Sequence, residues 1–101
     1  MKEQVIEYIK GNAELKSFFE SAWRRLQQQR KHIEQAQRFA ADERWDSRDR
    51  AVEEADKLAH FNQGFLEAAS RACGSPYNGN ILENVLYGMT QDDASSLFQG
   101  N

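Results

Sequence analysis

LKSFFESAWRRLQQQRKHIEQAQRFAADERWDSRDRAVEEADKLAHFNQGFLEAASRAC, residues 15–73, contains one apolar stripe that stops and a second that begins out of phase. The first runs Leu15, Phe19, Ala22, Leu26, Gln29, Ile33, Ala36, Ala40, in alternating steps of four and three. Continued, it would land on Glu43, Ser47, Arg50, Glu54 and Lys57, none of which suits a core. Apolar positions resume instead at Val52, Ala55, Ala59, Asn62, Leu66, Ala69 and Cys73. A helix turns about 100° per residue, so the lost phase means that the chain must fold back to bury both stripes. The pattern predicts two long antiparallel helices joined by a turn near Glu43–Asp46.

The flanking segments read as short helices. Residues 2–10 place Val5, Ile6 and Ile9 on one face, with Gly11 suited to a left-handed end and Asn12 to capping the next helix, which carries Glu14 in its first turn. That second helix is expected from Ala13 to about Asp42. Asp46 or Ser47 is the expected cap of the third, with Asp49 in its first turn, and Gly74-Ser75-Pro76 its stop. Asn80 with Glu83 reads as a capping box opening a helix over Ile81–Tyr87, closed by Gly88. Thr90 with Asp93 reads as a second box, with Met89 placed to staple onto Ala94. The expected fold is all-α: a single helical domain over residues 1–101, a long hairpin with short N- and C-terminal helices packed against it. Ala51, Leu58, Phe65 and Ala72 add a row beside the second stripe, widened by Phe61. The terminal helices are the expected cover for that row, with a second copy of the chain as the alternative; a monomer is favoured over a homodimer.

Composition narrows the function classes. The 101 residues include one Pro, six Gly and one Cys, with 40% hydrophobic residues of which twelve are Ala. A single cysteine makes no internal disulfide and fits a reducing compartment. No apolar run approaches a membrane span, and Met1-Lys2-Glu3-Gln4 lacks the apolar stretch of a secretion signal, so a cytoplasmic protein is expected. The net charge of -3 gives no general attraction to nucleic acid. Residues 1–50 hold eleven Lys/Arg against nine acids, and residues 51–101 two against seven, an imbalance that allows a polarised surface and equally fits two long helices that solvate different faces.

No catalytic, metal or nucleotide motif is present. His32 and His60 stand alone, without ligands or a nucleophile at a useful spacing. The expectation is therefore no enzyme, no cofactor and no metal. Three groups remain as candidate contact residues. Asp42, Glu43, Asp46 and Asp49 form an acidic tip suited to a basic groove. Arg24, Lys31 and Arg38 fall on one line opposite the seam, and form the alternative strip for phosphates or an acidic surface. Trp23 and Phe39, on opposite flanks of the first stripe, are the alternative aromatic anchors. Gln29 and Asn62, one polar residue per stripe, lie at similar heights and are expected to pair and set the register.

Size, the immediate helical start, the lone Cys73, the Gln/Arg-rich helix around Trp23–Arg38 and the acidic tip together resemble small phage-encoded inhibitors of bacterial defence or host machinery, of which anti-CRISPR proteins are one group. The resemblance implies a non-enzymatic inhibitor or regulator that occupies a surface of a larger protein or nucleoprotein complex. A nucleic-acid-binding helical protein and a structural assembly adaptor are the alternatives, and direct binding to duplex DNA is expected to be weak.

Overall fold

Five helices follow one another in the computed structural model, which describes residues 1–99: α1 (Lys2–Lys10), α2 (Ala13–Ala41), α3 (Trp45–Ala72), α4 (Gly79–Gly88) and α5 (Gln91–Phe98). The two long helices pack antiparallel, and the three short ones gather at the hairpin's open end. The molecule measures 47 × 26 × 20 Å.

The core is concentrated where the short helices meet the hairpin. Leu15, Phe19, Ala22, Trp23 and Leu26 of α2 join Leu66 and Ala69 of α3, Val5 and Ile9 of α1, Leu82, Val85 and Leu86 of α4, and Ala94 and Leu97 of α5 in one cluster. Toward the tip the seam continues only through Ala36, Ala51 and Ala55. Two residues of the predicted stripes lie outside it: Ile33 is 42% exposed and Val52 39% exposed. Near the tip the helices meet through alanines, a narrower contact than the stripe implies, and Ala51 takes the inward position expected of Val52.

Local signals explain most of the helix ends. Asn12 Oδ1 accepts from the Leu15 amide, and Glu14 sits in the first turn of α2. Gly11, expected to be left-handed, has φ of -85° and ends α1 in a right-handed conformation. Among the described residues the left-handed ones are Gly74, which stops α3, and Glu43, with φ of 58°, at the tip. There the Arg44 amide donates back to the Phe39 carbonyl at 2.8 Å and turns the chain in three residues. Helix α3 accordingly begins at Trp45 with Arg44 in the cap position and no side-chain cap, ahead of the expected Asp46 or Ser47; Asp46 is the acid of its first turn.

Helix α4 starts earlier than Asn80 suggests. Asn78 Oδ1 caps it by accepting from the Ile81 amide at 2.9 Å, and Asn80 is helical. Gly79, the first residue of α4, donates its N–H to Glu67 Oε2 at 2.7 Å, while Ser70 Oγ donates to the Tyr77 carbonyl at 2.6 Å. Glu67 and Ser70 lie on one edge of α3; Phe61 and Ala72 lie on the other. The terminal helices therefore cover the edge opposite the one expected. Phe61 stays 57% exposed, and Leu58 and Phe65 are half-buried.

Thr90 and Asp93 form the expected capping box. Asp93 also pairs with Lys2 Nζ at 3.1 Å, tying α5 to α1. The Thr90 backbone N–H, and then Lys2, hold the Asp93 carboxyl below its usual range. A depressed folded value means that the charged form stabilises the fold at neutral pH, and that this contribution is lost as pH falls through the depressed value. Asp93→Asn should therefore flatten the dependence of thermal midpoint on pH across the acid limb. An unchanged slope would show that the pair does not couple to folding.

Candidate functional site

The closed end of the hairpin stands clear of the terminal helices, and its side chains are displayed rather than buried. Asp42, Glu43, Asp46 and Asp49 are all exposed around the turn. Arg48 Nε lies 2.9 Å from Asp49 Oδ1, a charge contact without hydrogen-bond geometry. Among the described residues, the other three carboxylates face no cation within ion-pair distance. In their midst Trp45 is 52% exposed, with the Arg48 guanidinium 5.4 Å from its ring centre. A large aromatic side chain displayed on the first turn of a helix and ringed by charge has the composition of an interface anchor.

The aromatic residues singled out from sequence behave differently. Trp23 is buried in the main core, with Arg30 stacked 5.6 Å from its ring, and is not available as an anchor. It sits on the flank where α5 packs. Phe39 is half-buried under the Arg44 guanidinium at 5.1 Å, and lines an open groove of about 390 Å³ with Gln35, Ser47 and Ala51. Trp45 was missed because the phase break places it in the turn; its identity as the only other tryptophan was the available signal.

The basic strip is exposed but partly neutralised. Arg24 pairs with Glu20 at 3.6 Å and Arg38 with Glu34 at 3.5 Å, leaving Lys31 as the strip's cation without such a partner among the described residues. Exposed pairs of this spacing contribute about 0.3–0.5 kcal/mol each.

Gln29 and Asn62 do not pair. Asn62, only 2% exposed, donates through Nδ2 to the Ala22 carbonyl at 3.0 Å and accepts through Oδ1 from Arg25 Nε at 2.7 Å. Gln29 Oε1 instead accepts from the Tyr87 hydroxyl at 3.4 Å. Arg25 is the member of the basic stretch that turns toward the seam. Its guanidinium lies 4.7 Å from the Phe61 ring centre and 4.2 Å from that of Phe65, and burial lowers its affinity for the proton. Phe61 stacks on Phe65, which meets Phe18 edge-on. The rings and Asn62 together hold one half-buried cation in place of the expected amide pair.

Remaining reactive groups are unremarkable in position. His60 Nδ1 contacts the Asp56 carbonyl at 3.1 Å. The Cys73 thiol is pushed up by burial and then by Glu14, which disfavours the thiolate needed for reactivity. Among the described residues no three His, Cys, Asp or Glu side chains gather at metal-binding distance, and no helix is long and apolar enough to cross a membrane. In comparisons with known proteins, no family model matches the chain, and neither does any curated protein or solved structure.

Proposed function

We propose that this is a small non-enzymatic binding protein that inhibits or regulates a larger complex by occupying one of its surfaces with the closed end of the hairpin. The observation that supports this most is Trp45, exposed where the two long helices turn, with Asp42, Glu43, Asp46 and Asp49 around it outnumbering Arg44, Arg48 and Arg50. A basic, nucleic-acid-binding surface of a nucleoprotein complex matches that charge, and attraction between the two would accelerate encounter. The profile shared with phage-encoded inhibitors of bacterial defence places a CRISPR-type effector first among the complexes to test. The ion pairs at Arg24 and Arg38 weigh against the basic strip as the contact, because among the described residues only Lys31 is left unpaired there.

The test measures phage plaquing on a host with active CRISPR interference, with and without the protein, and capture of the effector complex by tagged variants. Restored plaquing and a captured complex are expected. Trp45→Ala, or reversal of Asp42, Asp46 and Asp49 to Lys, should weaken capture about tenfold or more while leaving the thermal midpoint nearly unchanged. Reversal of Arg24, Lys31 and Arg38 should leave capture intact. Loss of capture with the strip variant alone, or submicromolar salt-sensitive binding to duplex DNA, would favour the nucleic-acid-binding alternative instead.

A further inference from the structure

The flank of the hairpin that α4 covers near the open end continues uncovered to the tip. Tyr87, at the end of α4, reaches Gln29, and one turn beyond Gln29 the flank carries Ile33. The Asn62 bonds to Ala22 and Arg25 set the register, which brings Val52 level with Ile33. Trp45 lies two turns further toward the tip, on the same line of α3 as Val52. Tyr87, Ile33, Val52 and Trp45 are 42%, 42%, 39% and 52% exposed, so the strip is open to solvent and largely apolar, with the half-buried Arg48 beside it and its guanidinium over the Trp45 ring. From Gln29 to Ala41 it runs about 18 Å, the length of roughly three helical turns.

Its borders are charged unequally. Along α3 stand the exposed carboxylates Asp49, which Arg48 Nε approaches at 2.9 Å, Glu53 and Asp56. Lys57 is only 4.0 Å from Glu53, and Asp56 has no cation partner among the described residues. Along α2 the border is Arg30, stacked on Trp23, and the neutral Gln37.

We infer that this strip receives an amphipathic helix of the partner, about three turns long, whose apolar stripe covers Ile33, Val52 and Trp45 and whose Lys/Arg-rich edge lies along α3. It would extend the line of α4 and complete distally the three-helix contact that α4 makes proximally. A second copy of the chain fits less well. With two hairpins parallel, each α4 stands a helix diameter, about 10 Å, proud of the flank and the two collide. With them antiparallel, α3 faces α3, and the Asp49 of each copy comes opposite the Asp56 of the other. This inference rests on the reading of the hairpin end as the contact surface, and specifies what that surface holds.

The probe is a synthetic 14-residue helical peptide with leucines at heptad spacing and lysines along one edge, titrated into the labelled full-length protein and followed by amide shifts. Shifts are expected around Ile33, Trp45, Val52 and Asp56. An isomer with glutamates in place of the lysines should bind at least about tenfold more weakly. Ile33→Glu with Val52→Glu should abolish binding without lowering helicity, because both side chains are exposed, while Phe61→Ser on the opposite flank should leave binding unchanged. Equal binding of both peptides, no binding, or shifts centred on Phe61 would overturn the inference. So would sedimentation of the protein alone as a dimer that Val52→Glu dissociates. Failure of the peptide alongside retained, Trp45-dependent capture of the effector complex would remove the helix and leave the proposed function standing.

Discussion

Asn62→Leu should destabilise the protein by about 3 kcal/mol, on the order of 15 °C in thermal midpoint. Leucine keeps the number and branching of asparagine's side-chain heavy atoms, so the larger part of the loss is not one of packing. The loss falls on Arg25, whose Nε has Asn62 Oδ1 as its acceptor at 2.7 Å, and whose Nη2 is already buried without a partner. A guanidinium packed over Phe61 and Phe65 with no oxygen acceptor remains costly, because cation–π contact replaces only part of a charged hydrogen bond. The Ala22 carbonyl loses its side-chain donor but keeps its place in the α2 ladder. Replacing both residues, Arg25→Met with Asn62→Leu, should recover at least half of the loss, since no charge is then left unpaired. Gln29→Leu should change stability by under about 0.5 kcal/mol, because its 3.4 Å contact with Tyr87 is long and exposed. Denaturant unfolding of these three variants together with Arg25→Met alone provides the test. Additive losses for Arg25 and Asn62 would show that they do not act as a unit.

Gly79→Ala should cost a similar amount, about 3 kcal/mol, by a different route. The glycine does not have positive φ, so alanine meets no dihedral penalty there. An added Cβ would lie 2.7 Å from Glu67 Cα and 2.7 Å from Glu67 N. Those are backbone atoms in the middle of α3 and cannot rotate away. Helix α4 must lift, and Leu82, Val85 and Leu86 give up part of their burial as it does. Gly64→Ala is the matching control: a Cβ there meets nothing within 4 Å, and the position is an exposed helix interior, so stability should rise by about 0.5–1 kcal/mol. Hydrogen exchange should show α4 and α5 loosened selectively in Gly79→Ala. A variant as stable as the parent would mean that α4 docks without this close approach.

The hairpin was legible because a phase break has one simple resolution on a short chain, and the Thr90–Asp93 box because its two residues satisfy each other locally. Decisions made in three dimensions were not. Asn78 and Asn80 are equally good caps in sequence; Asn78 prevails because Gly79 alone can pass so close to Glu67. Apolar residues flank the second stripe on both sides, and nothing local says that α4 takes the Ser70 edge and leaves Phe61 bare. Arg25 sits in a run of cations that reads as solvated, and only the meeting with Asn62 and the two phenylalanines separates it from Arg24. At the candidate site, the carboxylates were legible as an exposed cluster. Trp45 was not, since its place beside them depends on α3 starting at the turn itself.

The alanine seam toward the tip determines where the molecule yields first. Ala36, Ala51 and Ala55 bury little surface, and no terminal helix covers the flank beside them. Opening of that end costs only a fraction of global unfolding, so backbone amides on either side of Glu43 should exchange through local fraying well before those around Phe19 and Leu66. The end proposed to make contact is thus also the end with the least internal cohesion. A partner that seats there contributes the packing that this part of the chain lacks, and part of its binding energy goes into quieting the motion.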